Sequence, residues 1–227
     1  MPRRPRVFVP GHPMHVIQRG HNRTRIFFTP ADAKQYLEWL QEAAANHGLA
    51  IHAYVLMINH VHLLASPETS QSLPRTMRDA NRRYGRYVNE GQNRTGSLWE
   101  GRYRASVVDA EQYVLSCCRY IELNPVRAGA VKEPGAYRWS SYKANAEARP
   151  DPLLTPHPLY LSLGDTPELR AAAYRHMFEH ELTDEDVDRI RAAVNGDWAL
   201  GGARFTDLVS RHAGQSMAPR GRGRPGK

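Results

Sequence analysis

The chain has 227 residues, 41% hydrophobic and 24% charged, which excludes a wholly disordered, collagen-like or coiled-coil protein. Thirty-one Lys and Arg against 23 Asp and Glu leave a net charge of +8, so nucleic acid becomes the leading class of partner. No apolar run of about 18 residues exists and no basic helix carries a strongly apolar opposite face, so no membrane partner is expected.

The N-terminal text MPRRPRVFVPGHPMHV is basic but lacks the apolar stretch of a secretory signal, which predicts a cytoplasmic protein. Residues 13–18 (PMHVIQ) read as a strand, followed by the polar turn GHNRTR. Thr29, Pro30 and Asp32 then supply a cap, a first-turn proline and a first-turn acid, and Ala33, Leu37, Leu40 and Ala44 recur at helical spacing. A helix over 30–47 follows, stopped at Gly48. Residues 51–57 and 60–65 predict two antiparallel strands joined by a tight hairpin. A second helix is expected at about 70–90, with Leu73, Met77, Ala80, Tyr84 and Val88 as its apolar positions. Between 75 and 104 eight Arg face only Asp79, Glu90 and Glu100, the strongest basic segment of the body. A fourth strand at about 104–108 completes a β-α-β-β-α-β order, that of a ferredoxin-like domain.

A third helix is predicted at about 110–123, capped by Asp109 with Gln112 in a capping-box position and ended by Pro125. Val114, Cys117, Cys118 and Ile121 make its apolar stripe, with Tyr120 and Asn124 at the edge of that stripe. The adjacent Cys117 and Cys118 are too close for an unstrained disulfide and read as reduced, buried thiols. Beyond 150, four prolines predict an extended linker, then helices at 167–181 and 183–194 and a short one near 203–213. The final PRGRGRPGK is basic and expected to be disordered alone.

His60 and His62 alternate on a strand and so share a face, where two imidazoles can hold a divalent metal. The same spacing also suits two hydrogen-bonded histidines. Tyr120 is a weak nucleophile at neutral pH unless its target is polarised, and Asn124, four residues on, offers a hard oxygen. On these residues alone, a tyrosine at the core edge and a helix-terminal asparagine preceding Pro is the favoured reading. Trp99, Tyr84, Tyr87 and Tyr103 among the arginines suit either stacking on bases or the core. Arg222 and Arg224, in RGRP, resemble an AT-hook core or serve as a general basic tail. No Gly-rich phosphate loop, G-x-S-x-G or CxxC is present.

Four stretches taken in order, HVIQRGHNRTRIFF at 15–28, AYVLMINHVHLL at 53–64, GSLWEGRYRASVV at 96–108 and RYIELNPVRAGAVKEP at 119–134, with YRWSSY at 137–142, resemble the Y1 tyrosine transposases of the IS200/IS605 type. The resemblance is closest to the REP-associated tyrosine transposases and covers about 15–142. It implies an α+β, ferredoxin-like domain with an added catalytic helix. By position Tyr120 matches the nucleophile, His60 and His62 the ligands of Mg²⁺ or Mn²⁺, and Asn124 the amide residue that helps hold the metal. The implied reaction is cleavage and rejoining of single-stranded or hairpin DNA through a 5′-phosphotyrosyl link. Arg23, Arg82, Arg83, Arg102 and Tyr103 are the expected DNA contacts, joined by Arg222 and Arg224 in the tail. Ile58 stands where relatives often carry proline.

The resulting division is a catalytic domain at 1–149, a helical C-terminal extension at 150–216 and a basic, AT-hook-like tail at 217–227. The resemblance also implies a bacterial, nucleoid-associated setting and is compatible with a homodimer in which the tyrosine helix serves the partner's site. A rival from another class is a domesticated protein that recognises palindromic repeats without cutting them. Hairpin binding alone needs none of His60, His62, Tyr120 and Asn124.

Overall fold

The computed structural model describes residues 7–219. Strand β1 (Met14–Arg19) leads through a 3-10 turn at His21–Arg23 to helix α1 (Pro30–His47). The start of α1 is a full capping box: Thr29 Oγ1 accepts from the Asp32 amide, and Asp32 Oδ2 accepts from the Thr29 amide at 2.8 Å. Its end is fixed by Gly48 at φ 64°, a left-handed position that a side chain would strain. Strands β2 (Leu49–Met57) and β3 (His60–Pro67) form the expected hairpin, and α2 (Ser72–Gly91) returns the chain to β4 (Arg104–Val107).

The sheet order is β2-β3-β1-β4 with every neighbouring pair antiparallel, the arrangement that the β-α-β-β-α-β order predicts. Side chains alternate between its faces. Val16, Val61, Leu63, Ala105 and Val107 point to one side, where α1 and α2 pack through Tyr36, Leu40, Met77, Ala80 and Tyr84. Tyr84 lies 5.0 Å from Tyr36 and 6.0 Å from Trp99 between ring centroids, so these aromatics belong to the core rather than to a base-stacking surface. A bulge between Ile51 and Ala53 shifts the parity of β2, which lets Ile51, Tyr54 and Leu56 all face this layer.

The opposite face is buried as well. Helix α3 (Val114–Glu122) covers it and continues, after Leu123, into the short α4 (Asn124–Arg127). Helix α3 starts four residues later than the sequence pattern predicts. Asp109 Oδ1 accepts from the Glu111 amide at 3.1 Å, closing a local turn instead of capping a helix, and Tyr113 stands at the N-cap without a side-chain cap. Pro125 does not end the helical path either, because it sits in the first turn of α4, where it needs no amide partner. Cys117 and Cys118 are free and buried.

Helices α5 (Tyr142–Glu147), α6 (Pro158–Leu161), α7 (Pro167–His176), α8 (Asp184–Gly196) and α9 (Ala203–Ala213) complete the chain. Residues on both sides of position 150 share the second core: Val55, Leu64, Cys117 and Ile121 pack with Tyr174, Ile190, Ala193 and Leu200. The Leu200 amide donates to the Val107 carbonyl at 2.8 Å and so closes the outer edge of β4. Met217, at the expected start of the tail, is 3% exposed, and the Ala199 amide donates to its carbonyl at 3.0 Å. Arg222 and Arg224 lie outside the described residues.

Candidate active site

The register of β1 on β3 sets Arg19 opposite His60, Ile17 opposite His62 and His15 opposite Leu64. His15, His60 and His62 therefore lie on the face that α3 covers. The His60 and His62 ring centroids are 5.0 Å apart, edge to face, and His15 stacks on His62 at the same 5.0 Å separation. His15 Nε2 meets His62 Nδ1 at 2.8 Å, and His60 Nδ1 meets Asn59 Oδ1 at 2.7 Å.

Burial disfavours the charged form of each ring. It takes His15 down to about 3; burial, then the nearby Arg19, takes His60 down to about 4. His62 is held well below the usual histidine range by burial first, then by His15, His60, Arg19 and Arg127. All three rings are thus neutral at pH 7, the form that offers a lone pair to a metal.

Helix α3 brings Tyr120 to these rings. Its centroid is 5.7 Å from that of His15 and 5.9 Å from that of His62, edge-on to both. Tyr120 is only 4% exposed, and burial raises its phenol above the ordinary value, while a hydrogen bond from the Arg191 side chain and the charges of Arg127 and Arg191 oppose the rise. The Arg127 guanidinium carbon lies 4.3 Å from the Tyr120 ring centroid, and Arg127 Nη2 also donates to the Tyr120 carbonyl oxygen. Asn124 donates Nδ2 to the carbonyls of Tyr120 at 3.0 Å and Ile121 at 3.3 Å, which fixes the amide one turn beyond the tyrosine.

Among the described residues, no group of three or more His, Cys, Asp or Glu side chains is arranged to hold a metal. A cation held here would need a donor of another kind beside the two histidines. Two neutral imidazoles with an amide oxygen are a mixed donor set that suits Mn²⁺ and accommodates Mg²⁺.

Arg23 is exposed beside this face, in a loop where Asn22 and Arg23 have φ of 50° and 57°. Consecutive left-handed residues of this kind cost about 1–2 kcal/mol each. Gly20 is needed here, since an added Cβ would sit 2.5 Å from the Thr24 carbonyl oxygen. Arg102 is exposed and lines, with Arg19, Arg104 and the largely buried Tyr103, a cleft of about 320 Å³ that ends at Asn195–Asp197. Arg82 and Arg83 are exposed on α2, on the other side of the sheet, where Arg83 donates to Glu42 at 2.7 Å and lies 5.1 Å from the Trp39 ring. The structure does not bring this pair to the histidines.

Residues 8–124 match the family described as IS200-like transposases, more than half of the chain. The chain belongs to the Y1 transposase family. Among solved structures it resembles a REP-associated tyrosine transposase bound to a REP hairpin, at 16% identity and TM-score 0.55, covering 66% of this chain and 87% of that one. A candidate transposase from Deinococcus radiodurans R1 matches at 21% identity and TM-score 0.38, over 53% of this chain and 96% of that one. No curated protein matches. Among the described residues no helix is long and apolar enough to cross a membrane.

In this Y1 transposase the fold gathers Tyr120, His60 and His62 on one face, with Asn124 one helical turn from the tyrosine. Sequence reading missed His15, Asn59, Arg127 and Arg191. Two of them left a signal: Arg127 is seven residues from Tyr120, two turns along one helical face, and His15 alternates with Ile17 on the strand that pairs with β3. Arg191 left none.

Proposed function

We propose that this transposase cuts and rejoins single-stranded DNA beside a hairpin, with Tyr120 as nucleophile. The observation that carries the reading is the edge-on approach of Tyr120 to His62 at 5.9 Å within one chain. A site assembled this way needs no partner subunit. His60, His62 and Asn124 would hold Mg²⁺ or Mn²⁺, which when bound withdraws charge from the scissile phosphate.

Tyr120 Oη attacks the phosphorus, the bond to the 3′-oxygen breaks, and that oxygen leaves as a 3′-hydroxyl, taking up the equivalent of the proton that Tyr120 gives up. A 5′-phosphotyrosyl link keeps the energy of the phosphodiester for rejoining. Arg191 faces the phenolic oxygen where negative charge develops, and Arg127 fixes the ring. Arg23 and the cleft with Arg19 and Arg102 flank the same face and supply cations for phosphates leading to it. The solved relative is described as bound to a REP hairpin; a hairpin substrate in a bacterial nucleoid is our extension to this chain.

One observation favours a second reading, a palindrome-binding protein that does not cut: Tyr120 is 4% exposed, with its hydroxyl already engaged. The deciding experiment mixes the full chain with Mn²⁺ or Mg²⁺ and labelled single-stranded hairpins from its gene's flanks, and looks for a covalent adduct on a denaturing gel. A metal-dependent adduct absent in Tyr120→Phe supports the transposase chemistry. Tight binding without adduct in both metals supports the second reading.

A further inference from the structure

The β2–β3 turn does more than connect two strands. Its Asn59 contacts both the left-handed loop that carries Arg23 and the first histidine of the site. Asn59 Nδ2 donates to the Arg23 carbonyl oxygen at 3.0 Å, while Oδ1 lies 2.7 Å from His60 Nδ1. The backbone zips the same two segments together: the Gly20 amide donates to the Asn59 carbonyl at 2.9 Å, and the Ile26 amide to the Ile58 carbonyl at 2.8 Å.

These contacts fix a protonation pattern by elimination. A carbonyl oxygen only accepts, so the amide edge facing Arg23 must be the NH₂ group. The edge facing His60 is then Oδ1, which also only accepts. His60 must therefore carry its proton on Nδ1, and its lone pair is left on Nε2. A histidine that ligates through one nitrogen while its other N–H is held by an oxygen acceptor is oriented and made more basic by that acceptor.

We infer that Asn59 is a positioning residue: clamped by the Arg23 carbonyl, its amide holds His60 as the Nδ1–H tautomer and so presents Nε2 to a divalent cation. The role rests on the reading of His60 as a ligand, and it ties that ligand to the loop bearing a candidate DNA-contacting arginine. Asn59 touches neither the cation nor the phosphate. Its effect passes through His60.

Long-range ¹H–¹⁵N spectra of the full chain, ¹⁵N-labelled at histidine and free of metal, read the tautomer directly, with His60→Gln assigning the resonance. The unsubstituted chain should show His60 protonated at Nδ1. Asn59→Leu should release it to a mixture of tautomers and weaken Mn²⁺ binding, measured by calorimetry, by about 10–100-fold. Asn59→Asp keeps the acceptor for His60 while losing the donor to Arg23, so it should keep the tautomer and bind Mn²⁺ at least as tightly. That rescue separates positioning from mere loss of the turn.

His60 protonated at Nε2 in the unsubstituted chain overturns the inference, as does Asn59→Leu with tautomer and Mn²⁺ affinity unchanged. Nδ1–H at His60 with no Mn²⁺ binding at all overturns the metal reading of the site and still supports the hold of Asn59 on the ring.

Discussion

The guanidinium of Arg127 lies over the ring of Tyr120, 4.3 Å from its centroid, and bonds the carbonyl oxygen of the same residue. One side chain thus fixes both ends of the tyrosine that the proposed chemistry uses. A partly desolvated cation–π contact contributes about 0.5–2 kcal/mol, and a hydrogen bond from a charged donor about 1.5–3. Arg127→Ala should slow single-turnover adduct formation by about 30-fold or more, since 1.4 kcal/mol is about tenfold. Arg127→Lys should recover only part, because an ammonium cannot lie flat on the ring and reach the carbonyl as well. An unchanged rate in Arg127→Ala would remove it from the machinery.

Arg191 reaches the same tyrosine from α8. Burial raises the Tyr120 phenol and the Arg191 hydrogen bond opposes that rise, so Arg191→Leu should raise it further. The expected result is a rise of cleavage rate with pH displaced to higher pH, while binding of an uncleavable hairpin changes little. Superimposable pH–rate curves would contradict the contact.

Glu122, two residues on from Tyr120, is fully buried and accepts from Ser141 Oγ at 2.5 Å, Asn145 Nδ2 at 2.8 Å and Tyr174 Oη at 2.8 Å. Burial pushes its carboxyl up to about 7 from 4.5, against the pull of those three bonds. The native state therefore holds this proton more tightly than the unfolded chain. Its contribution is full below the unfolded value near 4.5 and is lost as pH rises through about 7. The shift corresponds to about 3 kcal/mol. Denaturant titrations from pH 4.5 to 8 should show Glu122→Gln gaining stability relative to the unsubstituted chain as pH rises. A constant difference across that range would rule the mechanism out.

The low value of His60, at about 4, and the depressed range of His62 have a consequence for metal affinity. An ordinary histidine near 6.5 loses about tenfold in affinity for each pH unit below its pKa, because the proton competes with the metal. Rings already neutral at pH 5.5 lose little. Calorimetry with Mn²⁺ should give affinities at pH 5.5 and 7.5 within about threefold, against about a hundredfold for two ordinary ligands. The sign reverses for stability without metal: below 6.5 the unfolded chain takes up protons that the native rings refuse, so these histidines destabilise the fold as pH falls toward 4.

How much of this was legible in the sequence depends on the range of the contacts. The cap at Thr29, the first-turn acid Asp32, the stop at Gly48 and the alternation of His60 and His62 are local patterns, and the structure repeats them, with Asp32 also closing a capping box. The pairing of β1 with β3 followed from element order. Local pattern misled at Asp109, where a short side chain closes a turn on itself, and across the prolines after 150, where His157 caps the short α6 by accepting from the Leu159 amide. Arg191 and Tyr174 were hidden for another reason. They meet α3 across more than fifty residues of chain, and no periodicity encodes which helix of an extension will lie over which residue of the body.

The layer that α3 begins on the second face of the sheet is completed by residues from 142 onward, with Leu200 closing the edge of β4 and Ile190 and Ala193 packed with α3. A chain leaving the ribosome presents its strands and histidines early, yet the roof over Tyr120 is synthesised last. Until then the apolar surface of α3 that these helices cover and the open edge of β4 are exposed to other chains. Truncation near residue 149 would make that interval permanent, so a fragment that keeps His60, His62, Tyr120 and Asn124 but lacks Arg191 should aggregate rather than work as a smaller enzyme.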